Sequence, residues 1–231
     1  MYFSRLTMRP DTSKSPEFWR IASGPYQIHQ MVWDLFAHPE HTERDFLYRV
    51  DWPNGSPVVY VISSREPVYQ GGVWKLESKP FKPVIRTGQR LVFSLRANPI
   101  VSRRLEPDDE GRRKQVRHDV VMDAKKRLSE ESEKPRFRMA DLIQQEGTRW
   151  LHSRADRHGF SIHEGAVRAD AYRQIRFRKG KSRNTVSIST IDFTGILQVT
   201  DPDRFRESLE SGIGPAKGFG CGMMMVRPAK G

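Results

Sequence analysis

Between Met139 and Val226 the apolar residues change period from helical to alternating and then repeat the change, which limits the available folds more than any other feature of the chain. Met139, Leu142, Ile143, Trp150 and Leu151 fall at helical intervals that stop near His158-Gly159. Tyr172 to Arg178 and Thr185 to Val199 read as a hairpin joined by Lys179-Gly180-Lys181-Ser182. The phase set by Val186 and Ile188 shifts before Ile191, Phe193, Leu197 and Val199, predicting a bulge near Thr190. Asp201-Pro202 supplies an N-cap and a first-turn proline for another helix; Phe205 and Leu209 face inward and Gly212 ends it. Met223 to Val226 closes the series as a strand.

Strand, helix, hairpin, helix, strand is the split βαβ order of a ferredoxin-like domain. The first half shows the same order less completely. Residues 1 to 8 read as a strand and Asp11 to Gly24 as a polar loop. A helix then begins at Gly24-Pro25, with Ile28, Met31, Val32, Leu35 and Phe36 as its core-facing stripe. Phe46 to Val50 and Val58 to Ile62 form a hairpin turned by Pro53-Asn54-Gly55. Between Pro67 and Lys82 no second helix is evident. Leu91, Phe93, Leu95 and Ala97 alternate with polar residues as a strand closed by Pro99, and the charged region Arg103 to Arg117 reads as a linker and exposed loop. The expected class is α+β with antiparallel sheets, divided into residues 1–98 and 99–231.

The chain has 231 residues, enough for two small domains, and its 40 Lys plus Arg against 28 Asp plus Glu give a formal net charge of +12. That excess points to nucleic acid, because neutralising phosphates releases counterions; a solvated basic surface without a dedicated ligand is the alternative. Cys221 stands alone, excluding an intrachain disulfide and a multi-cysteine zinc site. The start Met1-Tyr2-Phe3-Ser4-Arg5-Leu6 has no apolar core of signal-peptide length, and Val58 to Ile62 is too short to span a bilayer. These features suit a soluble cytoplasmic protein with no membrane partner.

Gly212 to Gly222 interleaves glycines with Lys217, so backbone N–H groups and an ammonium can approach an anion; an ordinary flexible connection is the competing reading. Lys217 is followed by Gly218 rather than Ser or Thr, which excludes a Walker A loop, and its position where a third glycine should stand excludes a dinucleotide fingerprint. Tyr26 and His29 are neighbours on one face of the first helix, off the core stripe. His38 and His41 are interrupted by Pro39 and lack a cysteine, while the acidic run at Asp108 lies among arginines, so no metal site is expected. In the hairpin, Ile175 and Phe177 would face the core, with Gln174, Arg176 and Arg178 opposite, at a spacing that can follow a nucleic-acid groove. No aromatic RNP motif is present.

The N-terminal strand with Tyr26-Gln27-Ile28-His29, the segment Leu95-Arg96-Ala97-Asn98-Pro99 and the run Gly212 to Gly222, in this order, resemble the CRISPR-associated endoribonuclease family CasE over nearly the whole chain. The resemblance implies two tandem ferredoxin-like (RRM-like) domains, a CRISPR repeat stem-loop RNA as substrate, other Cascade subunits as partners, and no small-molecule cofactor. It implies a metal-independent cut at the 3′ base of the stem, giving a 2′,3′-cyclic phosphate and a 5′-OH, with retention of the product. Carried over by position, His29 is catalytic with Tyr26 as its companion. RNA contacts are expected from Arg96, Asn98, Arg173, Gln174, Arg176, Arg178 and Lys179, and from Gly214, Lys217, Gly218 and Gly220 of the glycine-rich run. Lys217 is also a candidate to stabilise developing charge. A non-catalytic RNA-binding subunit of a ribonucleoprotein is the alternative from another class.

Overall fold

Two hydrophobic cores, each on one face of its own antiparallel sheet, organise the chain. The structure is a computed structural model and describes residues 1–10, 12, 15–36, 44–104, 115–130, 138–178 and 185–229. The first lobe comprises β1 (Tyr2–Met8), α1 (Pro16–Ala22), α2 (Pro25–Trp33), β2 (Phe46–Asp51), β3 (Val58–Ser63) and β4 (Trp74–Pro80). Its strand order is β2-β3-β1-β4, the order a ferredoxin-like sheet requires, although loop replaces the second helix. Leu6, Tyr48, Val59, Val61 and Trp74 of the sheet pack against Ile21, Met31, Val32 and Leu35 from the helical layer.

Two features of this lobe differ from expectation. The Asp11 to Gly24 stretch is not wholly loop: Ser15 caps α1 by accepting from the Phe18 N–H, Pro16 occupies its first turn, and Ile21 is driven into the core. The strand Leu91 to Ala97, assigned to residues 1–98 by the expected division, belongs to the second sheet. Its alternating Leu91, Phe93, Leu95 and Ala97 enter the second core, and both its hydrogen-bonded neighbours come from later in the chain.

The second lobe comprises β5 (Arg90–Ala97), β6 (Ile100–Arg104), β7 (Gln115–Asp119), α3 (Val120–Glu130), α4 (Met139–Ala155), β8 (Phe160–Ser161), β9 (Val167–Arg178), β10 (Thr185–Val199), α5 (Pro202–Ser211) and β11 (Met224–Pro228). β5 lies between β11 and β10, and β9 pairs with the other side of β10. In order of appearance, β5, β9, β10 and β11 therefore reproduce the first sheet's arrangement. The β9–β10 register shifts between Thr190 and Asp192, where the bulge was expected. Gly159 ends the helical segment in the left-handed region at φ 74°, and the Asp201 carboxylate accepts from the first N–H groups of α5.

Part of the predicted linker is ordered, because β6 and β7 pair as a ribbon leading into α3; residues 105–114 lie outside the described residues. Across the seam between lobes, Leu47 and Ile62 pack with Met223, flanked by Phe3, Phe81 and Met225. Among the described residues no helix is long and apolar enough to cross a membrane.

Candidate functional site

Gly24, at φ 146°, turns the chain out of α1, and Pro25 starts α2 without needing a hydrogen-bond donor. Tyr26 and His29 then project one turn apart, both partly exposed. Trp33, a further turn along, donates its indole N–H to His29 Nε2 at 3.0 Å. The indole packs edge-on against Phe46, with ring centroids 5.1 Å apart, so the group orienting the imidazole is itself held by the first core.

The glycine-rich segment faces α2 from the second lobe. Ile213 N–H donates to the Gly222 carbonyl at 2.9 Å and Gly222 N–H donates to the Arg96 carbonyl at 2.7 Å, closing the loop's base onto β5. Within it, Ala216 at φ 57° and Gly220 at φ 78° bracket a single 3₁₀ turn, Lys217–Phe219. The Tyr48 hydroxyl reaches across the seam and donates to the Gly218 carbonyl at 2.9 Å. Burial pushes the Tyr48 hydroxyl well above its usual pKa and keeps it protonated as a donor. A Cβ at Gly218 would stand 3.6 Å from His29 Cε1, which places the histidine ring directly beside this backbone. Phe219 continues the surface, 5.9 Å from the His29 ring and 4.9 Å from Phe177 of β9. Helix and loop therefore meet at His29, and Phe219 carries the contact on to the hairpin.

The hairpin divides differently from its expected pattern. Ile175 and Phe177 are only partly buried and face the lobe junction, not the core. Phe177 packs on Phe219, while Ile175 and Arg173 line a cleft of about 410 Å³ with Pro25, Ile28 and Trp52. Gln174 is on the opposite face, donating to the Tyr172 hydroxyl at 3.0 Å, which in turn donates to Asp119. Arg176 is exposed. The Arg178 side chain and Lys179 lie outside the described residues.

Arg96 and Asn98 have internal partners. The Arg96 guanidinium donates to both Asp192 carboxylate oxygens at 2.7 and 2.8 Å and to the Val50 carbonyl at 2.7 Å, tying the two sheets together at the cleft wall. Asn98 is 8% exposed and donates its amide to the Ser189 carbonyl at 2.6 Å, so it braces β10 and leaves little of itself to solvent. Gly214 lies against Trp150, where a Cβ would approach the ring to 3.0 Å, and Gly220 lies against Tyr48. Lys217 has its pKa lowered by burial and by the Arg44 charge, and it faces the end of α4 and α5. Among the loop's expected contacts, Gly218 is the one adjoining His29.

Trp33, Tyr48 and Phe219 are absent from the residues singled out by sequence. Trp33 was accessible to such reasoning, being four residues after His29 on the same helix. Tyr48 and Phe219 depend on how the lobes dock and leave no local signal.

A family model described as CRISPR associated protein matches residues 1–228. The CRISPR system Cascade subunit CasE of Escherichia coli (strain K12) is 28% identical over 211 residues, covering 88% of this chain and 92% of that protein. The CRISPR-associated endoribonuclease Cse3 of Thermus thermophilus is 26% identical over 243 aligned residues, covering 99% of this chain and 100% of that protein. A structure of Thermus thermophilus Cse3 bound to an RNA representing a pre-cleavage complex is 27% identical, covers 98% of each chain and superposes with a TM-score of 0.70.

Proposed function

The chain belongs to the CRISPR-associated protein family, and from that premise we propose that it is an endoribonuclease that processes CRISPR repeat RNA. The observation that carries the reading is the meeting of α2 with the glycine-rich loop: His29, its companion Tyr26 one turn away, and the Gly218 backbone against the imidazole. An imidazole at the mouth of a basic, two-lobed junction suits proton transfer to or from ribose and phosphate oxygens. Attack by the 2′-OH on the adjacent phosphorus forms the 2′-O–P bond and breaks the bond to the 5′ oxygen. The products are a 2′,3′-cyclic phosphate and a 5′-OH, and the leaving oxygen takes up one proton as the nucleophile loses one.

In this scheme His29 moves a proton, Trp33 sets the ring's rotation, and Tyr26 orients the ribose or phosphate. Arg173 on the cleft face and Arg176 on the outer face contact phosphates of the stem, while the glycine loop lets the strand pass close to the histidine. Because RNA supplies its own nucleophile, the scheme needs no metal. The cleaved hairpin remains bound and carries the protein into a Cascade assembly in the cytoplasm.

The test is single-turnover cleavage of a repeat RNA in EDTA. Wild-type protein should cut once at the 3′ base of the stem. His29→Ala should lower the rate by about 10² to 10⁴, with RNA affinity within about twofold. Unchanged cleavage by that variant removes His29 from the chemistry, and complete loss in EDTA with recovery on adding Mg²⁺ removes the metal-independent scheme.

A further inference from the structure

Gly218 touches His29, while the adjacent Lys217 lines a different cavity of about 360 Å³, formed by the end of α4, the turn after it, α5 and the loop. Arg154, Arg157, His158, Arg204 and Lys217 are on its wall, and Glu207 is the only carboxylate among the lining residues. Arg154 is held 4.1 Å above the Trp150 ring and donates to the Trp150 carbonyl at 3.1 Å. Among the described residues Arg154, Arg157 and Lys217 form no ion pair with a carboxylate; Arg204 pairs with Asp201 at 3.3 Å.

The polar geometry favours an anion. The Ser208 hydroxyl donates to the Arg204 carbonyl at 2.8 Å, so at its 2.7 Å contact with His158 Nδ1 it accepts. His158 therefore carries a hydrogen on Nδ1, and protonation would add a second donor at Nε2. Gathering positive side chains from separate parts of the chain costs electrostatic free energy that a bound anion offsets. The cavity is far too small for a duplex, whose grooves alone are about 6–12 Å wide, but suits one or two phosphodiesters of a flexible strand.

We propose that this cavity binds backbone phosphates of the unpaired RNA flanking the repeat stem, as that strand continues past the glycine loop. The inference rests on the endoribonuclease reading for the identity of its ligand. Lys217 links the two places: its backbone belongs to the loop beside His29 and its side chain lines the cavity. Arginine and lysine read phosphate without reading bases, so the contact is independent of sequence and adds to affinity wherever the flank can reach.

The experiment measures affinity at about 150 mM salt for three repeat RNAs: stem alone, stem with a 5′ flank, and stem with a 3′ flank. Each carries 2′-deoxyribose at the cut so that binding is read without cleavage. The double variant Arg157→Gln/Arg204→Gln should lower affinity about tenfold for one flanked RNA. It should flatten that RNA's salt dependence by about one to two phosphate contacts and change stem-alone affinity by less than about twofold. The flanked RNA that responds identifies the strand. Arg157→Gln alone repeats the test with an exposed side chain whose loss disturbs no ion pair among the described residues. Equal weakening of all three RNAs, or of none, overturns the proposal; insensitivity of all three is also the result expected of a pocket for an acidic protein segment. If wild-type protein fails to cut native RNA while the flank effect persists, the endoribonuclease reading falls and the phosphate site stands.

Discussion

The two lobes share one strand order but hold their parts of the candidate site by different means. The first lobe presents His29 from a regular helix, and packing sets its orientation: Trp33 donates to the imidazole and is wedged on Phe46. The second lobe presents backbone and cations from irregular chain, shaped by left-handed residues and by hydrogen bonds at the base of the loop. A side chain on a helix inherits its direction from the core beneath it, whereas a loop that must approach a phosphate needs small residues and fixed dihedral angles. Neither arrangement works unless the lobes stay in register, and the Arg96 junction is one of the contacts that keep them so. Removing this side chain breaks two bonds to Asp192, takes from Asp51 the more distant of its two cations while Arg49 stays at 2.8 Å, and strips the Val50 carbonyl of its donor. With the Arg96 side chain 24% exposed, Arg96→Ala should cost about 2–4 kcal/mol in urea denaturation. A loss below about 0.5 kcal/mol would mean that the other contacts across the seam, the apolar cluster of Leu47, Ile62 and Met223 with the Tyr48–Gly218 and Arg49–Ser94 hydrogen bonds, hold the lobes without Arg96.

A gentler change separates the loop's position from its existence. Tyr48→Phe keeps the ring in the first core but removes the hydroxyl that holds the Gly218 carbonyl. The expected destabilisation is about 1 kcal/mol, with cleavage slowed about tenfold and RNA affinity nearly unchanged. If affinity falls in proportion to cleavage, the bond serves RNA binding generally, and the contrast between a packed histidine and a positioned loop loses its support.

This contrast also explains what was legible in the sequence. The Asp201 cap, the Thr190 bulge and the turn at Gly159 are local consequences of residue spacing, and each stands where the pattern put it; the stripe of α2 does so only in part, because the helix ends at Trp33 and Leu35 and Phe36 reach the core from the turn beyond it. Tyr26 and His29 could be placed on a shared helix face for the same reason. α1 was passed over because Ser15-Pro16 follows a polar stretch and only Ile21 of the short helix enters the core. β5 shows its strand period plainly, but its sheet is chosen by partners a hundred residues away, which alternation does not encode. Arg96 and Asn98 read as surface residues because they alternate with apolar ones; the internal partners of Arg96 and the burial of Asn98 follow from the docking of sheets and the turn beyond β5. The cationic cavity gathers side chains from α4, α5 and the loop and left no signal in any single segment.

The smallest expected effect tests whether that cavity and the histidine site behave as distinct regions. His158 has its pKa lowered first by burial, then by Arg157, Lys217 and Arg154; Glu207 acts in the opposite direction. Its folded pKa lies below its unfolded value, so its neutral form favours folding above the unfolded pKa, and that contribution declines as pH falls and the folded ring is forced to protonate. A phosphate beside the ring reverses the local field and favours the charged form, so binding takes up a proton. The flank's contribution to affinity should accordingly rise about two- to fivefold between pH 8 and pH 6, measured as the ratio of flanked to stem-alone affinity. In His158→Gln that ratio should become flat with pH while the His29-dependent cleavage reaction persists. A ratio that stays flat in wild-type protein would place the bound phosphates away from His158, on the Arg204 or Lys217 side of the cavity.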